Sequence, residues 1–159
     1  MKFYRIVQNE QLFSFGDKIG DVPICGNRLI DCQNESIATI GAQVIDVSNK
    51  ASISDNQGYF VFKENLFFTT ELLKAALLLI KTKSANLQFC LKRNTFNERY
   101  VLPNSQDTAG SHVLELYYYQ GEGEMELCSI DQEVFEHAYE FPSQIIRDKI
   151  FHMDQCAVF

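Results

Sequence analysis

The 159 residues are 46% hydrophobic and 22% charged, the balance of one globular domain and too few for two cores of ordinary size. With 14 Lys plus Arg against 21 Asp plus Glu, the formal charge of -7 excludes bulk electrostatic attraction to nucleic acid or an anionic membrane. Gly and Pro number 8 and 3 against 13 Phe and 7 Tyr, which excludes collagen-like and disordered chains.

Cys25, Cys32, Cys90, Cys128 and Cys156 form an odd set without paired spacing, and Met1 to Arg5 leads into no long apolar stretch. Both features predict a reduced, cytoplasmic chain without a signal peptide. Closely spaced zinc cysteines are absent, and the strongly apolar run Ala75 to Ile80 is far short of the ~20 residues that span a membrane.

Phe3 to Val7 is bulky and β-branched and predicts a first strand. Gly16, Gly20, Pro23 and Gly26 then punctuate a loop, and Leu29, Ile30, Gln33, Ile37 and Ile40 recur at helical spacing. A helix is expected over 29–41, with Gly41 as its stop, followed by a strand at Val44 to Val47. Gly58 to Phe62 is an unbroken apolar strand candidate, the pattern of a strand covered on both faces. Thr69 and Thr70 offer N-cap hydroxyls, Glu71 suits the helix start, and Lys81 and Lys83 suit its end. The intervening leucines and alanines are wide enough around the helix to predict near-complete burial. Leu87 to Leu91 returns as a strand, so two crossovers define a mainly parallel α/β sheet, expected in three layers over residues 3–91.

The last third changes character. His112 to Tyr119 and Glu124 to Ile130 are strand-like and joined by Gln120-Gly121-Glu122-Gly123, which predicts an antiparallel hairpin. Short helices are expected after Asp131 and Ser143, carrying Val134, Phe135 and Ala138, then Ile146, Ile150 and Phe151. The apolar end Gln155 to Phe159 is either a last buried strand or the point where a longer protein continues. The expectation is a single α/β domain over 1–159, standing alone or as an N-terminal part.

Pro23-Ile24-Cys25-Gly26-Asn27-Arg28-Leu29-Ile30-Asp31, running into a helix that ends Ile40-Gly41-Ala42 and then Val44 to Val47, resembles the sugar nucleotidyltransferases. Phe60 to Leu73 is similar to that family's later strand, acidic residue, short apolar step and helix, so the resemblance spans about residues 3–80. It implies a nucleotidyltransferase or Rossmann-like sheet and a sugar phosphate or nucleotide as ligand. Departures from the family pattern are as informative. Val7 to Leu12 contains no glycine where the family has a glycine-rich phosphate loop ending in arginine. The first family lysine falls at Ile19, beside Lys18, and the second lysine and its proline fall at Asn27 and Arg28. The metal-binding aspartate falls at Asn65, a poorer Mg²⁺ ligand than a carboxylate, and Glu64 replaces it only after a shift of one residue. The resemblance therefore implies a scaffold that kept its shape and lost pyrophosphorylase chemistry.

The residues themselves supply no catalytic set, no metal set and no cofactor motif. Glu136, His137 and Glu140 do not share one helical face, and His152 and Cys156 give two ligands only. Candidate ligand-binding residues are Lys18, Glu64 and Asn65, with Lys92, Arg93 and Arg99 as a basic cluster after the Leu87 to Leu91 strand. Tyr117, Tyr118 and Tyr119 must point to both faces of their strand, so Tyr117, Tyr119 and the nearby Glu122 are candidate interface residues. Three functions follow: a non-catalytic binding or regulatory module, a small acidic interaction protein such as an inhibitor or immunity protein, and an enzyme with an altered phosphate loop.

Overall fold

The computed structural model describes residues 1–7, 18–24, 26–92, 106–108, 111–130 and 156–158. Strand β1 (Lys2–Ile6) leads to a short ribbon of β2 (Pro23–Ile24) and β3 (Asn27–Arg28), then α1 (Leu29–Thr39) and β4 (Gln43–Val47). β5 (Tyr59–Lys63), β6 (Leu66–Phe68), α2 (Thr70–Thr82) and β7 (Asn86–Lys92) follow. The chain continues through β8 (Gln106–Thr108), β9 (Ser111–Tyr119), β10 (Met125–Ile130) and β11 (Cys156–Val158). The main sheet has seven strands in the order β10-β7-β9-β5-β1-β4, with β8 beside β9.

β1 pairs in parallel with β4 and β5, and β10 in parallel with β7, whereas β9 is antiparallel to β5, β7 and β8. Within this sheet β9 alone runs against the other strands, so the sheet is mixed but mostly parallel in direction, as expected. The antiparallel partner is a correction: β9 and β10 do not form a hairpin, because β7 lies between them. Leu87 and Tyr118 are opposite each other, and the ladder then shifts between Gln88 and Cys90, where a bulge lets the two strands bend together. The terminal residues do form a strand, β11, antiparallel to β6. The helices expected within 131–151 lie outside the described residues.

Alternation along the strands sorts the side chains. Phe3, Phe60, Phe62, Leu87, Phe89, Leu91, Leu114, Leu116 and Tyr118 face one way and meet Ile37 of α1 and Leu72, Leu73 and Ala76 of α2 in one cluster. Phe60 is its hub, with Phe3 stacked at 4.5 Å, Phe89 at 5.9 Å and Tyr118 at 5.1 Å. Both helices therefore cover the same face, and among the described residues the expected third layer is not formed. The opposite face carries Tyr4, Tyr59, Lys63, Glu115, Tyr117 and Tyr119 around the buried Val61, a more polar surface than the helix side.

Local signals explain the helices. α1 buries Leu29, Gln33 and Ile37 at a spacing of four residues and stops where Gly41 takes a φ of 72°. The Thr69 hydroxyl accepts a hydrogen bond from the Leu72 N–H at 3.4 Å at the start of α2. The helix is less buried than its composition predicts: Leu72, Leu73 and Ala76 are covered, Leu77 is half-buried, and Leu78 is 63% exposed. A β2–β3 ribbon turning at Gly26, with φ of 90°, occupies part of the expected loop.

Two stability outcomes follow from this packing. Leu73→Ala, a fully covered position, should lower unfolding free energy by about 2–5 kcal/mol in a denaturant titration. A Cβ at Gly58 would collide with the Tyr118 hydroxyl and stand 2.9 Å from its ring, so Gly58→Ala should destabilise the fold. Adding Tyr118→Phe should restore part of the loss, whereas equal melting of Gly58→Ala and the parent would contradict this contact.

Candidate functional site

The parallel strands β1, β4 and β5 end along one edge of the sheet, and connections leave β1 toward β4 and return past it to β5, the place where open α/β sheets bind ligands. The group at its centre is Arg5, which is 3% exposed. Its Nε and Nη2 both reach Asp46 Oδ1 at 2.8 Å, and its Nη1 donates to Gln33 Oε1 and Asn34 Oδ1 at 3.1 Å. Gln33 is fully buried and donates onward from Nε2 to the carbonyls of Glu64 at 2.9 Å and Leu66 at 2.7 Å. One chain of hydrogen bonds thus joins β1, β4, α1 and the turn between β5 and β6.

Glu64 and Asn65 occupy that turn, so both expected positions sit at the strand ends, Glu64 buried and Asn65 half-buried. The Glu64 N–H also donates to the Ile6 carbonyl at 3.1 Å, fixing the turn against β1. Lys18 is exposed and precedes the 3₁₀ turn Ile19–Asp21. Arg28 at the start of α1 is engaged by Asp31 at 2.8 Å and Asp21 at 3.4 Å, and the Asp31 carboxyl is held below the usual carboxylate range by the Arg28 hydrogen bond. Lys92 ends β7, which runs in the same direction as β5 and closes at the same edge, while Arg93 and Arg99 lie outside the described residues. So does the segment 8–17 after β1. Among the described residues no three His, Cys, Asp or Glu side chains gather as metal ligands. Burial pushes the Cys90 and Cys128 thiols up, so neither is poised as a thiolate nucleophile.

The interface candidates lie on the sheet face away from the helices. Tyr4 meets Tyr59 edge-on at 5.4 Å, Tyr59 stacks on Tyr119 at 5.5 Å, and Tyr119 on Tyr117 at 6.3 Å. Lys50 Nζ stands 3.7 Å above the Tyr119 ring, a cation–π contact. The Tyr117 hydroxyl donates to Glu115 at 2.8 Å and accepts from Gln88 at 3.2 Å, and burial followed by the Glu115 hydrogen bond raises its pKa. Tyr118 points the other way into the core. Glu122 is exposed beside a groove of about 310 Å³ lined by Asp55, Gln57, Tyr59 and Tyr119.

Sequence reasoning missed the Arg5 chain. Its signal was present: an arginine set among Phe3, Tyr4, Ile6 and Val7 in a buried strand demands an anion and hydrogen-bond acceptors nearby.

Together the mostly parallel sheet, its reversed β9 and the helices over one face define a mixed α/β fold, whose likeness to solved structures is distant and at the level of fold. A hypothetical transferase from Thermus thermophilus superposes with a TM-score of 0.52 at 12% identity, over 75% of this chain and 64% of that one. The inositol-1-phosphate CTP transferase from T. maritima gives 0.49 at 10% identity, over 75% and 70% of the two chains. No family model matches the sequence, and no curated protein matches it. Among the described residues no helix is long and apolar enough to cross a membrane.

The Asp55 carboxyl next to Tyr4 yields a pH expectation. The Lys2 hydrogen bond holds it below its ordinary value against an opposing effect of burial, and the Tyr4 hydroxyl and Gln57 N–H add further hydrogen bonds. A depressed carboxyl stabilises the fold above its unfolded pKa of about 3.9 and loses that contribution as the pH falls through the folded value. Melting temperature should therefore drop through this acid range, and Asp55→Asn should flatten the drop.

Proposed function

We propose that this chain is a nucleotidyltransferase-like scaffold that works as a binding or regulatory module, or as the N-terminal part of a sugar-nucleotide enzyme, and not as an independent catalyst. The observation that supports this reading most directly is the commitment of the strand-end polar groups to the scaffold itself. Arg5 is tied to Asp46, Gln33 and Asn34, and Gln33 to the turn carrying Glu64. Asn65, an amide where the resemblance asks for a carboxylate, weakens the case for divalent metal at that turn. A sugar phosphate or nucleotide is the ligand class, with Lys18, Glu64 and Asn65 and the basic cluster Lys92, Arg93 and Arg99 of the sequence as its candidate ligand-binding residues. The row of tyrosines with Tyr117, Tyr119 and Glu122 favours a second reading, a small acidic interaction protein working through that face.

Incubation with nucleoside triphosphates, Mg²⁺ and a panel of sugar 1-phosphates should release no pyrophosphate. Metal-dependent release that disappears in Lys18→Ala or Glu64→Gln would overturn the non-catalytic reading.

A further inference from the structure

We propose that the outer edge of β4, with the groove beside it, takes an extended basic segment of a partner protein as an added strand. Among the described strands β4 ends the main sheet and pairs only with β1. The Gln43 N–H donates to the Met1 carbonyl at 3.4 Å, and the Val47 carbonyl accepts from the Val7 N–H at 2.9 Å, so alternate residues 43, 45 and 47 serve β1. In a parallel ladder the intervening Val44 and Asp46 then turn their N–H and C=O groups outward. The strand Gln43-Val44-Ile45-Asp46-Val47 has no lysine or proline to protect the edge from pairing, and its one charged residue, Asp46, is paired with Arg5.

A second, independent feature lies next to this edge. The side chains of Val44 and Asp46 point to the helix face, where a groove of about 320 Å³ is lined by Arg5, Asn34, Ala38, Ala42, Val44 and Asp46. Ala38 and Ala42 are small enough to leave room for an incoming side chain. Main-chain hydrogen bonds would supply affinity, and the groove would read every second side chain of the added strand. The residue opposite Val44 is apolar and enters between Ala38 and Ala42. The residue opposite Asp46 is Lys or Arg. Both Arg5 contacts go to Asp46 Oδ1 and the Asp46 side chain is 53% exposed, so the carboxylate can receive a second cation.

Charge selects the occupant. The chain carries a formal -7, and α1 adds the exposed Glu35 on its surface. A second copy would bring the same negative charge and, paired antiparallel about Ile45, would set its Val44 against Asp46 and offer no cation. The proposal deepens the binding-module reading and rests on it only for the idea that the chain works through a partner. Pyrophosphate release tests that reading; the edge is tested separately.

The probe is a fluorescein-labelled nine-residue peptide of threonines with valine and lysine two positions apart at its centre, and a control with glutamate for lysine. Anisotropy should show saturable binding of the lysine peptide, weakened at least about tenfold in the control. Amide exchange should slow at Val44 and Asp46 while Ile45, already bonded to β1, stays unchanged. Ala38→Leu fills the groove from an exposed helix position, and Val44→Pro removes an outward donor in the manner tolerated at a sheet edge. Each should cut binding by about tenfold or more, with folding followed by circular dichroism; if Val44→Pro fails to fold, Ala38→Leu still decides. Absence of binding, equal binding of the control, or affinity unchanged by Ala38→Leu would overturn the proposal. Slowed exchange at Val44 and Asp46 that grows with protein concentration and needs no peptide would overturn it too, making a second copy the occupant.

Discussion

The guanidinium of Arg5 is a charge held inside the fold, and the arrangement of β1, β4, α1 and the β5–β6 turn depends on satisfying it. Asp46 neutralises it, Gln33 and Asn34 accept its remaining hydrogen bonds, and Gln33 passes the constraint to the carbonyls of Glu64 and Leu66. Removing one member of such a set costs more than the set contributes, because the groups left behind stay buried without water. The contacts also act at a distance in sequence: Arg5 and Asp46 are 41 residues apart, and Gln33 reaches residues 31 and 33 positions further on. Apolar packing alone would allow α1 to slide over Phe3 and Phe60. The directional bonds fix its position along the sheet.

The sheet divides labour between its two faces. On the helix side, rings of Phe3, Phe60, Phe89 and Tyr118 pack without charged partners apart from the Arg5 chain. On the other side the tyrosines keep their hydroxyls engaged, Tyr4 with Asp55 and Tyr117 with Glu115 and Gln88. Lys63 pairs with Glu115 across β5 and β9 on that same face, a half-exposed contact of modest energy. Such a face satisfies its polar groups within itself, while both described helices gather on the apolar side.

Much of the fold was legible in the sequence, because the signals were local. The α2 cap at Thr69, the stop at Gly41 and the apolar run at Phe60, Val61 and Phe62 each report on neighbours within a few residues. The resemblance at Pro23 to Val47 and Phe60 to Leu73 led to the right scaffold class. Strand order was not legible: the Gln120 to Gly123 loop has hairpin composition, and only the pairing of β7 with both β9 and β10 shows that it spans a strand instead. Burial of α2 was overestimated because a leucine such as Leu78 carries the same signal whether it meets a core or water. Of the candidate residues, Glu64 and Asn65 lie in the turn after β5, which follows from the apolar run that precedes them. The Arg5 chain was missed, since its members are far apart in sequence and meet only once the sheet has formed.

The placement of β9 has a consequence for the order in which the molecule can assemble. β5 and β7 are both complete by residue 92, yet neither pairs with the other; each waits for residues 111–119 to be inserted between them. As the chain emerges during synthesis, β4, β1 and β5 can form one small parallel unit, while β7 has no partner in the main sheet. Among the described strands, two margins, those of β5 and β7, therefore stay unpaired with each other until β9 is made. Late closure of this kind slows folding, because long-range pairing must be achieved before its reward. It also exposes the nascent chain to pairing with a neighbouring one, so the rate at which β9 arrives is a determinant of yield as well as of structure.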